Sequence, residues 1–270
     1  MNAQLEQYRA ALATYPDFAD GGEAVCIVCQ AADAPILVKL ASDFAVRAHF
    51  TGATCFERAV NLMHHVHQEL SCPGGQAKPA ENNTYGIMAA RGQATLFCWH
   101  KATVLTEMLL SVGVPCVRLT CLPQTFDYDR HVVTLAYMPE FDRWVLLDPT
   151  FDTYFLDADG LPMDPCAIRR AYLAGGVPRF QHIAIDKHWT LVLNSVVYET
   201  YDEWYAVYMA KNMFRLMCPA ESRYNDARLP AATCLFINPA GYDQQNEYDE
   251  TGTNKAYYHT CKIEWTKSTH

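Results

Sequence analysis

Apolar positions recur at helical spacing in two N-terminal stretches. Leu5, Tyr8 and Leu12 share a stripe over 3–14, and Phe56, Val60, Met63 and Val66, with Leu62 and Leu70, do so over 55–70; both predict amphipathic helices. Thr54 stands where an N-cap belongs, with Glu57 three residues on as its reciprocal partner. Residues 71–93, SCPGGQAKPAENNTYGIMAARGQ, are rich in Pro, Gly and Asn and predict a loop. A third helix is expected from Cys98 to Val112, where Ala102, Leu105, Leu109 and Val112 recur at spacings of three and four before Gly113-Val114-Pro115 stops it.

The pattern then changes period. CVRLTCL (116–122), HVVTLAYM (131–138) and RWVLLD (143–148) are apolar, β-branched runs divided by Pro123, Asp127, Pro139 and Asp142. They predict successive strands, the last two a hairpin. Helical candidates follow at 165–175 and 201–217, and TCLFI (233–237) and AYYHTCKIEW (256–265) predict two more strands. Helices followed by neighbouring strands, without βαβ alternation, give an α+β class. No repeat or linker divides the 270 residues, so one elaborated domain over 1–270 is expected, with a core at about 54–175 and α/β extensions on either side.

Charge narrows the partners. With 21 Lys and Arg against 30 Asp and Glu, the net charge of −9 supplies no field to hold a phosphate backbone or an anionic membrane. No apolar run approaches the roughly 18 residues of a membrane span. The opening MNAQLEQYRAALATYPDF carries Glu6, Arg9 and Asp17 and lacks the apolar stretch of a secretory leader. Eleven cysteines, an odd number in a chain able to fold without staples, suit reduced thiols in a cytoplasm.

One cysteine has a distinctive place. Cys98 opens an apolar helix, where unpaired N–H groups and the helix dipole favour a thiolate. Considered alone it is better explained as a small core hydrophobe. His131, however, opens a strand after the polar turn QTFDYDR, and Asp148 closes the next strand before Pro149. Neighbouring strands can set the imidazole beside the carboxylate and turn both toward the helix start. A cysteine, a histidine to exchange its proton and a carboxylate to fix the imidazole are the parts of an activated thiol nucleophile.

The strings FCWHKATVLTEMLLSVGVPCVRL and RHVVTLAYMPEFDRWVLLDPTF carry a resemblance. A nucleophile cysteine opening a helix that ends in Gly-Val-Pro, then a histidine strand, then Trp-Val-x-x-Asp-Pro-Thr, resembles the transglutaminase-like superfamily over about 92–150, and more loosely over 54–70 and 154–173. The resemblance implies a papain-like core, with the nucleophile helix packed on an antiparallel sheet, and gives Cys98, His131 and Asp148 the roles of nucleophile, base and orienting acid. Members often carry Gly-x-Cys before the helix, whereas here Arg91-Gly92-Gln93 stands further upstream. The Cys98 N–H is therefore the expected oxyanion donor, with the Gln93 amide a second candidate. No cofactor or metal is implied.

Other candidates read as structure. His100 sits about 200° around the helix from Cys98 and makes a poor base. His64, His65 and His67 form a cluster in which 64 and 67 share a face, without further ligands at a metal-binding spacing. Cys26-x-x-Cys29 has no second CxxC. The Tyr201, Trp204, Tyr205 and Tyr208 stripe reads as core. Trp99, Tyr85, Phe126 and Tyr128 are placed to wall a cleft suited to an apolar or peptide-like acyl group, or to seal the core beneath the loops.

The expected function is cysteine-dependent acyl transfer on an amide or peptide bond, most simply hydrolysis by a peptidase or amidase acting on a peptide, a protein or a small amide. The alternatives are transfer to an amine, as in transglutaminases or arylamine N-acetyltransferases, and a non-catalytic binding module that keeps the fold. The acetyltransferase pattern of Arg-Gly-Gly-x-Cys is absent, and the intact Cys98, His131 and Asp148 argue against a decayed site.

Overall fold

A computed structural model describes residues 2–18, 23–71, 74–125, 130–184, 191–226, 233–242 and 254–268. The elements run α1 (Ala3–Thr14), β1 (Val25–Cys29), α2 (Pro35–Asp43), α3 (Val46–His49), α4 (Cys55–Leu70), α5 (Thr84–Ala89), α6 (Cys98–Ser111), β2 (Cys116–Leu122), β3 (His131–Met138), β4 (Arg143–Asp148), β5 (Thr153–Leu156) and α7 (Pro165–Leu173). They continue through β6 (Arg179–His182), a small hairpin of β7 (Val192–Leu193) and β8 (Val196–Val197), then α8 (Tyr201–Asn212), β9 (Arg215–Pro219), β10 (Glu221–Ser222), β11 (Thr233–Ile237), β12 (Asn254–Tyr258) and β13 (Ile263–Lys267). The class is α+β. No helix among the described residues is long and apolar enough to cross a membrane.

The main sheet has eight strands in the order β12-β11-β9-β2-β3-β4-β5-β6. Its centre is the antiparallel run β2-β3-β4, with Cys121 opposite His131 and Thr134 opposite Leu147. The expected all-antiparallel sheet needs correction at one edge, where β11 and β12 pair parallel. A second sheet, β10-β1-β13, is parallel throughout.

Helix α6 is the packing axis. It lies on β2 and β3 and is covered on its other side by α2, α4 and α5, so every residue from Lys101 to Ser111 is buried, not the apolar stripe alone. Its end follows the sequence: Gly113, at φ +86°, donates to Leu110 O at 3.0 Å and Val114 to Leu109 O at 3.0 Å, the paired bonds of a Schellman cap. At the start of α4 the Thr54 hydroxyl accepts from Glu57 N at 3.1 Å and the Glu57 carboxylate accepts from Thr54 N at 3.4 Å, the reciprocal cap expected there.

Three expectations change. The helix foreseen over 201–217 ends at Asn212, because Arg215–Pro219 is taken into the sheet between β2 and β11. The strand foreseen over 256–265 is two, β12 and β13, belonging to different sheets, and the 71–93 loop contains α5. The cysteines are not all reduced: Cys166 at the start of α7 is bonded to Cys261 just before β13.

Candidate active site

Three elements converge on one point. Cys98 is the first residue of α6 and is half-buried. His131 is the first residue of β3 and Asp148 the last of β4, with side chains 1% and 0% exposed. In the β3–β4 register Asp148 falls opposite Val133, two residues from His131 and on the same face, which makes the pair diagonal neighbours across the strands. The result is a 2.6 Å bond from His131 Nε2 to Asp148 Oδ2.

Asp148 is held by four donors. Oδ1 accepts from Thr150 N at 3.0 Å and Phe151 N at 3.3 Å, and Oδ2 accepts from Tyr205 Oη at 2.9 Å as well as from His131. The Asp-Pro-Thr-Phe sequence explains the first two: Pro149 has no N–H, and the carboxylate closes the turn by reaching the next two amides. A carboxylate so satisfied can stay ionised out of water. It fixes the imidazole with Nδ1 remaining for the sulfur. Buried Nδ1 has no hydrogen-bond partner, and His131 and Cys98 are close enough to shift each other's proton affinity.

The electrostatics of the two groups move in opposite directions. Burial pushes the His131 imidazolium down, but the neighbouring Asp148 charge and hydrogen bond outweigh it and raise the value from 6.5 to about 10. Burial pushes the Cys98 thiol up, but the His131 side chain and the Val132 backbone amide bring it below its ordinary range. A thiolate–imidazolium pair is the state both shifts favour. Cys121, opposite His131 on β2, makes the contrast: burial first, then the Asp148 and Cys98 charges, push it well up.

Aromatic rings and α4 enclose the acid. The Tyr208 and Phe151 rings each lie 5.2 Å from the His131 ring, and Trp204 packs on Phe151 at 5.2 Å. The 201–208 stripe is buried, as expected of core, but Tyr205 within it also carries a polar task. On α4, His67 Nδ1 donates to Pro149 O at 3.1 Å and His64 Nδ1 pairs with Asp152 Oδ2 at 2.5 Å, so both histidines bind the 149–152 turn behind Asp148. Among the described residues no group of three or more His, Cys, Asp or Glu is gathered as for a metal ion.

The remaining candidates separate. His100 turns from the thiol and accepts from Phe97 N at 3.0 Å, capping the helix. Trp99 is half-buried beneath the Arg118 guanidinium, 4.9 Å from its ring centroid. Gln93 is exposed in a turn, its carbonyl accepting from Ala77 N, and no hydrogen bond among the described residues ties its amide to Cys98. Tyr85 donates to Asp43 Oδ2, at the end of α2, at 2.9 Å. Tyr128 and Phe126 lie outside the described residues.

Sequence reasoning missed Tyr205, His67 and the Val132 amide. Tyr205 lay in an aromatic stripe whose spacing is equally that of core, and the other two act through contacts that pattern alone does not encode. Comparison with family models, with curated proteins and with solved structures finds no match to this chain.

Proposed function

We propose that the chain is a cysteine-dependent hydrolase of amide or peptide bonds built on a transglutaminase-like core. The observation that carries the reading is the buried 2.6 Å His131–Asp148 bond, which leaves Nδ1 for a half-exposed thiol at a helix start. The resemblance of 92–150 to the transglutaminase-like pattern supports it.

The Cys98 thiolate attacks the amide carbonyl, forming an S–C bond and a tetrahedral oxyanion. The α6 N-cap residue Phe97 has no side-chain acceptor, and among the described residues the Cys98 and Trp99 N–H groups have no protein acceptor. They are the donors available to the oxyanion. As the C–N bond breaks, His131 Nδ1–H passes its proton to the leaving amine, and a thioester remains. Water then gives a proton back to His131 and its oxygen to the acyl carbon, releasing a carboxylic acid and restoring the pair. The cycle needs no cofactor. An amine in place of that water gives transfer, so hydrolysis and transfer differ only in the acceptor.

The test has two parts. Peptide-mapped alkylation by iodoacetamide at pH 6 is expected to label Cys98 ahead of every other cysteine. A panel of fluorogenic peptide and small amide substrates, with and without hydroxylamine as acceptor, is expected to show turnover that Cys98→Ala and His131→Ala abolish. Labelling of another cysteine first, with Cys98 protected, refutes the reading.

A further inference from the structure

The residue before the thiol breaks two local rules at once. An N-cap ordinarily carries Ser, Thr, Asp or Asn to bind the first free amides, but α6 has Phe97 there, with no side-chain cap bond. Phe97 is also 63% exposed. Of the described Phe and Trp residues only Phe97 and Trp265 are more than a third exposed, the latter at 36%. A position that forgoes both capping and burial, one residue from the nucleophile, is where a functional demand overrides folding preference.

The ring is backed by a fixed set of neighbours. Phe97 N–H is bound to His100 Nδ1 at 3.0 Å, and the Phe97 and His100 rings lie 6.0 Å apart. His100 meets the Trp99 ring edge to face at 5.2 Å. Trp99 is held by Arg118, which is anchored to Asp226 at 2.9 Å and to Thr103 Oγ1 at 3.0 Å. This platform exists before any ligand arrives, so little ordering entropy is lost on contact.

We propose that Phe97, backed by His100 and Trp99, is the contact for an apolar group on the acyl side of the scissile amide, and that the enzyme prefers acyl groups bearing an aliphatic or aromatic side chain. The proposal rests on the thiol reading above and adds to it the class of substrate. An apolar acyl group laid on the exposed ring removes both from water and meets a ring whose face favours aromatic and aliphatic partners.

The experiment needs no knowledge of the natural substrate. Alkylation by chloroacetamide and by N-benzylchloroacetamide forms an Sγ–C bond as the C–Cl bond breaks and chloride leaves with the electron pair, and the two probes differ only in the benzyl group. Their rates at Cys98, read by peptide mapping at pH 6, are compared with those of glutathione. The benzyl-to-plain ratio is expected to be five- to tenfold higher for Cys98 than for glutathione, to fall to the glutathione value in Phe97→Ser, and to be largely kept in Phe97→Leu. A wild-type ratio equal to that of glutathione, or equal ratios in wild type and Phe97→Ser, overturns the subsite and leaves the thiol reading standing. A plain chloroacetamide rate no faster than that of glutathione overturns both.

Discussion

Replacing Asp148 with Asn tests the electrostatics of the site most directly, because it keeps the volume and removes the charge. The rise of His131 from 6.5 to about 10 corresponds to roughly 5 kcal/mol in favour of the imidazolium. Without the carboxylate the opposing cost of burial remains, so the imidazole is expected to fall below 6.5 and to be neutral at pH 7. The new amide also presents N–H to Nε2, which selects the tautomer with its proton on Nδ1, facing the sulfur and unable to accept from it. Cys98 then loses its counter-ion while its own burial persists. A thiol at or above the ordinary value of about 8.5 is ionised to less than about one part in 300 at pH 6, and the higher nucleophilicity of the remaining thiolate returns about one order of magnitude at most. The Cys98 alkylation rate at pH 6 is therefore expected to drop by a factor on the order of 30 and to climb with pH, where wild type is expected to hold a plateau. Iodoacetamide kinetics from pH 5 to 9.5 with peptide mapping measure this, and circular dichroism checks that the variant is folded. A variant that kept the wild-type rate and plateau would show that Asp148 does not set the ionisation of the pair.

Three other outcomes are expected. Tyr205→Phe removes one hydrogen bond to a buried carboxylate and is expected to cost about 1.5–3 kcal/mol in denaturant unfolding, while the Thr150 and Phe151 amides keep Asp148 in place; loss of the low-pH alkylation plateau in this variant would refute a purely holding role. Glu107, buried in α6, has its carboxyl raised from 4.5 to about 7, chiefly by burial. The folded state thus keeps a proton that the unfolded chain releases above 4.5, so stability falls as pH rises from 4.5 to about 7, by about 3 kcal/mol from this group, and urea titrations of Glu107→Gln across that window are expected to lose this slope. Reduction of the Cys166–Cys261 bond, which joins residues 95 apart, is expected to lower stability by about 2–4 kcal/mol without slowing Cys98 alkylation, and a Cys166→Ala/Cys261→Ala double variant that melts like wild type would show that the bond adds nothing.

How far the site was legible depended on whether a contact follows from periodicity. The α4 cap at Thr54, the Schellman end at Gly113 and the β3–β4 hairpin are local, and residue type at short spacing specifies them. Cys98, His131 and Asp148 were singled out by their places at element boundaries together with the resemblance of the strings around them, and the structure brings the last two into a 2.6 Å bond. What failed is non-local. The residues after Asn212 keep an apolar pattern that suits a helix, but an open place between β2 and β11 draws them into the sheet. The Cys166–Cys261 pairing and the Tyr205 bond join segments far apart in the chain, and no spacing rule marks them. Phe97 was passed over for the opposite reason: a phenylalanine ahead of an apolar helix reads as core, and only its 63% exposure distinguishes it.

The arrangement also sets one thiol apart from the others. Cys121 stands opposite His131 in the sheet and feels the same Asp148 charge, yet it lies fully in the core, where burial and like charge push its proton on more tightly. Cys98 differs in being placed at the start of α6, half-open to solvent, with the His131 side chain and the Val132 amide on its inner side. A thiolate there gains the imidazolium and the free first-turn amides together. Moving the cysteine one helical turn inward, to the position of Ala102, would bury the sulfur completely and remove the first-turn amides from its reach. A Cys98→Ala/Ala102→Cys variant is therefore expected to alkylate no faster than glutathione at pH 6, and rapid labelling of the transplanted thiol would show that the His131–Asp148 pair alone, without the helix start, suffices.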